Sequence, residues 1–220
     1  LIGRLTASET ARRYKAVISD PGFRCLNCFV VGKQTYFAYS ESRVERKNLV
    51  GTMRILSSDV RPAEMADAVS VATVHWQAWQ QVYAGIIPHR SLQDMLTRRN
   101  VSWWQRAVSS EATVLVLEVQ GKLVGYATVG LSRARALLPE GEIYEIYLLP
   151  EYQGLGFGRD LFTEARRLLA SLGCKGTICW VLDDLQQAKM FFSALGGKPL
   201  AFSRSQFGDT SLGKVSFCWD

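Results

Sequence analysis

The chain has 220 residues, 48% of them apolar and 21% charged, with a formal net charge of +6, which is the composition of an ordinary globular protein with room for one sizeable domain. No apolar run approaches the ~20 residues that a bilayer span needs, and the first thirty residues lack a signal-peptide core, so no membrane partner and a cytoplasmic location are expected. Residues 1–60 hold ten Lys and Arg against five Asp and Glu, and residues 61–220 hold sixteen against fifteen, so the main body is nearly neutral and no nucleic-acid partner is expected of it.

In chain order, residues 1–52 read as an N-terminal extension and residues 53–220 as the compact domain. The extension offers two apolar runs, 25–31 and 34–39, able to pair as a hairpin across Gly32 and Lys33, and a polar run at 40–48 that reads as linker. Cys25 and Cys28 have the spacing of half a zinc site, but no second pair of ligands follows, so no metal is expected. Residues 53–56 are a candidate first strand, with Ser57 to Asp59 as caps and Pro62 in the first turn of a helix. Apolar residues recur at helical spacing over 63–83, with Trp76, Trp79 and Tyr83 on one face. A second helix is expected over 91–108. Strands at 113–119 and 123–129 flank a turn at Gln120, Gly121 and Lys122, and a loop then leads to a strand over 143–149 that Pro150 ends. A helix over 158–172 stops at Gly173. It is followed by a strand at 177–182, a helix at 185–195 and strands near 200–204 and 214–219.

The turn after Pro150 is the most specific feature. Gly154, Gly156 and Gly158 let the backbone approach a ligand closely, and the helix that follows turns its first N–H groups toward an anion. The spacing is neither that of a P-loop, since no Lys-Ser or Lys-Thr follows, nor the G-x-G-x-x-G of dinucleotide folds. What remains is Gln153-x-x-Gly156-x-Gly158.

That Q-x-x-G-x-G after a strand of the form I-Y-L-L-P resembles motif A of the GCN5-related N-acetyltransferase (GNAT) superfamily. Three weaker features agree: Trp79-x-x-x-Tyr83-x-Gly85, Trp180-Val-Leu182, and Ala188-x-x-Phe191-Phe-x-x-Leu195-Gly196. The resemblance covers about residues 53–220. It implies an α+β, α/β/α layered fold with a central, mixed but mostly antiparallel sheet, and transfer of an acetyl group from acetyl-coenzyme A to a primary amine.

The resemblance also implies site residues. The pyrophosphate falls on the N–H groups from Gln153 through Gly154, Leu155, Gly156, Phe157 and Gly158 to Arg159. The pantetheine arm adds to the strand edge at Ile146, Tyr147 and Leu148, and a backbone N–H near Leu148 polarises the thioester carbonyl. Glu142 falls where a branch of the superfamily has its general base, with Glu145 as the second candidate, and simple alternation places the two on opposite faces of the strand. The tyrosine that protonates the departing thiolate in the family is replaced by Phe192, so Tyr144, Tyr147, Ser193 or water must serve, or the protein binds the cofactor without turnover. Glu140, Glu142, Glu145, Asp183 and Asp184 suit a small cationic amine, with Trp79, Tyr83 and Trp103 as candidate walls. A protein N-terminus or lysine remains an alternative acceptor, and a homodimer is left open.

Overall fold

The computed structural model describes residues 57–109 and 113–220, together with the two-residue strand β1 (Arg43–Val44). The 25–31 and 34–39 hairpin, Cys25 and Cys28, and the 53–56 strand lie outside the described residues. The strands in chain order are β1, β2 (Ser58–Pro62), β3 (Thr113–Val119), β4 (Lys122–Leu131), β5 (Gly141–Leu148), β6 (Thr177–Leu182), β7 (Lys198–Phe207) and β8 (Thr210–Trp219), and they form one sheet in the order β1-β2-β3-β4-β5-β6-β8-β7. Among the described residues, only β5 and β6 pair in parallel. The helices are α1 (Ala68–Tyr83), α2 (His89–Arg98), α3 (Val101–Ser109), α4 (Phe157–Ser171) and α5 (Gln186–Ala194).

The layers follow from the apolar pattern. Val114, Leu115, Val116 and Leu117 of β3 are consecutive and all buried, as a strand covered on both faces requires. On one face lie Val71, Val74, His75, Ala78 and Trp79 of α1 with Trp104 of α3, and on the other Phe157, Leu161, Phe162, Ala165 and Leu169 of α4. Both sets keep the three- and four-residue spacing of one helix face.

Five features depart from the sequence expectation. Ser58 to Pro62 form a strand rather than caps and a first helical turn; Pro62 is its last residue, where the missing N–H is tolerated. There Arg61 reaches Asp67 at 2.6 Å and Glu118 at 2.6 Å, tying the start of α1 to β2 and β3. The expected helix over 91–108 is two helices, because the Asn100 side chain accepts from the Trp103 N–H at 3.0 Å and starts α3 anew. β7 and β8 are longer than the runs at 200–204 and 214–219 and meet in a hairpin through Gly208. Within the polar run at 40–48, Arg43 and Val44 pair with Asp59 and Ser58.

The fifth departure concerns β5. Thr128 pairs with Glu145 and Val129 with Ile143, so Tyr144 is an extra residue, a β-bulge. Tyr126, Thr128 and Gly130 alternate along one face of β4, and their partners are Tyr147, Glu145 and Glu142. The bulge therefore brings Glu142 and Glu145 to the same face, correcting the alternation that separated them.

A close approach across this pair is testable. A Cβ on Gly125 would stand 2.3 Å from Leu148 Cδ2 and 2.9 Å from the backbone oxygen of Tyr147. Gly125→Ala should lower stability by about 1–3 kcal/mol, as overpacking does, seen as a lower urea midpoint at unchanged slope. An unshifted midpoint would show that β4 and β5 adjust freely.

Candidate active site

β5 and β6 share three pairs, Gly141 with Thr177, Glu142 with Ile178 and Ile143 with Cys179. Beyond Ile143 the strands part at the Tyr144 bulge, and a cleft of about 770 Å³ opens between them. The Leu149 N–H donates to the Val124 carbonyl of β4 at 2.8 Å. By the alternation of the ladder, Leu148 and Ile146 turn their backbone N–H and C=O groups away from β4, toward the cleft, while those of Tyr147 face β4. The cleft thus has one wall of outward backbone groups.

At its far end stands the glycine turn. Gly156 has φ of 87°, a left-handed conformation that side chains disfavour, and it immediately precedes α4. Its carbonyl takes the Arg159 N–H at 3.0 Å, and the Gln153 N–H goes to Pro150, so the turn is fixed at both ends just ahead of α4. Gln153 Nε2 donates to the Leu148 carbonyl at 3.2 Å and fixes the turn to the strand. Of the expected residues, Glu145, Ile146, Tyr147, Leu148, Gln153, Gly154, Gly156, Gly158 and Arg159 line the cleft. The Leu155 side chain is exposed, and that of Phe157 is buried in the core.

The two carboxylates occupy different settings. Glu142 is 1% exposed, outside the cleft lining, and is held by Arg133 through its backbone N–H at 2.8 Å, its Nε at 3.0 Å and a further short contact from Nη2. Glu145 is 8% exposed and lines the cleft. Arg99 Nη2 lies 2.9 Å from its Oε1, and the Tyr126 hydroxyl donates to its Oε2 at 3.1 Å. With that proton committed, the Tyr126 oxygen accepts from His75 Nδ1–H at 2.7 Å, so the imidazole carries its proton on Nδ1. His75 Nε2 is buried without a partner, and burial lowers the His75 pKa to about 4.

A profile of the acetyltransferase (GNAT) family matches residues 71–196. The chain belongs to that family. It is 27% identical over 160 residues to the uncharacterized N-acetyltransferase YuaI of Bacillus subtilis, covering 73% of this chain and 91% of that one. It is 26% identical over 157 residues to the mycothiol acetyltransferase of Paenarthrobacter aurescens, covering 66% of this chain and 47% of that one. The fold is shared with PaiA N-acetyltransferase of Thermoplasma acidophilum in complex with coenzyme A (TM-score 0.56, 18% identity, 72% of this chain and 98% of that one). It is shared also with yncA of Salmonella typhimurium with acetyl-CoA (TM-score 0.54, 20% identity, 74% and 92%). Among the described residues, no helix is long and apolar enough to cross a membrane.

In this GNAT N-acetyltransferase, Phe192 stands where the sequence resemblance led a tyrosine to be expected. Phe192 is 3% exposed and packs against Phe162, Phe217 and Trp219. Across the cleft, the Tyr83 and Tyr147 hydroxyls lie 2.5 Å apart. Burial raises the Tyr83 pKa to about 12 and that of Tyr147 well above its ordinary value, so both remain protonated donors. Tyr144 also lines the cleft, but its hydroxyl donates to the Leu131 carbonyl at 2.7 Å. Trp79 is core, whereas Trp103 carries the Arg99 guanidinium 3.9 Å above its ring.

Sequence reasoning missed Arg99, Tyr126, His75 and Arg133, which hold the two carboxylates, and Trp180 as a cleft wall. The Asn100 cap was the available signal for Arg99, since a helix break there swings the preceding side chain out of register.

His75 generates a pH prediction. Its folded pKa of about 4 lies below the ordinary histidine value of 6.5, so as pH falls the unfolded chain takes the proton first and stability is lost across that window. The loss attributable to His75 between pH 7 and pH 4 is about 3 kcal/mol. Urea titrations should show a shallower acid dependence for His75→Asn than for the wild type; equal slopes would mean that folding leaves the histidine's pKa unshifted.

Proposed function

We propose that the protein moves an acetyl group from acetyl-coenzyme A to the primary amine of a small molecule, with Glu145 taking the amine proton. The observation that carries this reading is the open edge of β5: the backbone groups of Ile146 and the Leu148 N–H face away from β4, and the edge runs directly into a glycine turn at a helix N-terminus. An extended pantetheine arm fits such an edge as an added strand would, and a pyrophosphate fits the amides ahead of α4. The coenzyme A and acetyl-CoA complexes of the structural relatives support the same donor.

The chemistry then follows from the chain's own groups. The Leu148 N–H, aimed at the cleft, donates to the thioester oxygen as negative charge builds there. The amine nitrogen forms the C–N bond, the C–S bond breaks with its electron pair on sulfur, and the amine proton passes to Glu145 and on to solvent. Glu145 is the better placed carboxylate, because it reaches the cleft while Glu142 is saturated by Arg133. Two hydroxyls in contact share one proton and leave the second directed outward, so the Tyr83–Tyr147 pair offers a hydrogen bond to the departing thiolate whichever of the two is donor. With their raised pKa values these phenols stabilise the thiolate without losing their protons, and water supplies the proton to sulfur.

Two variants test the assignments. Gly156→Asp places a side chain and a negative charge where the pyrophosphate would dock, and calorimetry should show acetyl-CoA binding lost; unchanged affinity would remove the donor reading. Glu145→Gln should lower kcat/KM by about 10²-fold or more while acetyl-CoA affinity is kept. A variant that folds by thermal melt and retains wild-type kcat/KM would exclude Glu145 as the base.

A further inference from the structure

The cleft passes through the sheet, and its two sides differ in chemistry. On the α4 and α5 side it is lined by Gly156, Gly158, Arg159, Phe191 and Leu195, the anion-binding end. On the α1 side it is lined by Tyr83, Glu145, Tyr147 and Trp180. Tyr147 and Glu145 share a face of the sheet with Tyr126, whose ring meets those of His75 of α1 and Trp104 of α3. Trp180 alternates along β6 with Leu182, which packs with Trp79, Ile87 and Leu92 of the α1 and α2 region. An acceptor entering opposite the pyrophosphate end therefore meets three aromatic rings.

Most of the carboxylates that suited a cation already have polar partners. Glu145 has Arg99 and Tyr126, and Glu142 has Arg133. Glu140 accepts from the Lys175 N–H at 2.9 Å, and Asp183 pairs with Lys189 at 2.8 Å. Of the five acidic residues that suited a cationic amine, Asp184 alone lines the cleft without one of these partners. The Lys214 ammonium lies 4.8 Å from the Trp180 ring centroid, so the ring is flanked by a cation. A polyamine would need several uncompensated carboxylates along its length.

We propose, on the basis of the acetyl-transfer reading above, that the acceptor is an amine on an aromatic or apolar body with no second positive charge, an arylalkyl monoamine in chemical class. Its ring packs against Trp180 and the Tyr83–Tyr147 pair, and its amine reaches Glu145. The apolar walls also favour the neutral, nucleophilic form of the amine, since desolvation disfavours the ammonium.

The test follows thiol release with phenethylamine and tryptamine against putrescine and spermidine, at saturating acetyl-CoA. The aromatic monoamines should show kcat/KM higher by about tenfold or more. Trp180→Ala should raise KM for tryptamine by about tenfold, with acetyl-CoA affinity by calorimetry unchanged. Lys214→Glu, which does not rely on the core tolerating a lost ring, should raise kcat/KM for spermidine by about tenfold. A wild-type preference for spermidine, an unchanged KM for tryptamine in folded Trp180→Ala, or acetyl-CoA binding without turnover of any monoamine would overturn the substrate class. Absence of acetyl-CoA binding and of thiol release with every amine would instead overturn the acetyl-transfer reading on which it rests.

Discussion

The separation of β5 from β6 beyond Ile143 is the constraint on which the rest of the molecule depends. Two parallel strands that stay paired bury their backbone groups in each other, but here the ladder stops after three pairs and the Tyr144 bulge bends β5 away. A strand edge left open inside a fold is costly unless something pairs with it. In this protein the open edge ends at a glycine turn and a helix N-terminus, so backbone polarity converges on the cleft from two elements. The long antiparallel β7–β8 hairpin and the buried β3 and β4 hold this edge in place from either side.

The polar groups beside the cleft obey the rule that a buried charge needs its partners. Arg99 reaches Glu145 because the α2–α3 break at Asn100 lets it leave the helix line, and Tyr126 reaches the same carboxylate because the β4 register sets it beside Tyr147. Arg133 holds Glu142 and stacks 4.3 Å from the Tyr144 ring, so the loop after β4 is fastened to the bulge. The site thus has one carboxylate lining the cleft and another buried outside its lining. Sequence position alone does not separate the two.

Much of the fold was legible because it rests on local rules. The helical spacing around Trp79, the turn at Gln120 and Gly121, the 177–182 strand and the Gln153 to Gly158 turn all stand where residue type and period place them. The bulge was not legible, since an extra residue in β5 is settled by pairing with β4 rather than by any property of Tyr144. That one residue changed which face Glu142 occupies. The charge partners were hidden for a related reason: Arg99, Arg133 and Lys189 meet their carboxylates only through tertiary packing or a helix turn. Phe192 was read correctly as unable to donate a proton, but the hydroxyl pair across the cleft joins residues 64 positions apart, a separation no motif spans.

The central claim is that the open β5 edge at Ile146 and Leu148 receives the donor. Amide hydrogen exchange followed by NMR, with and without acetyl-CoA, tests it at those two positions. The account predicts fast exchange at Ile146 and Leu148 in the free protein and strong slowing with acetyl-CoA, while the Tyr147 amide, turned toward β4, changes little. Slowing at Tyr147 in place of its neighbours, or no slowing anywhere along β5 at saturating acetyl-CoA, would contradict it.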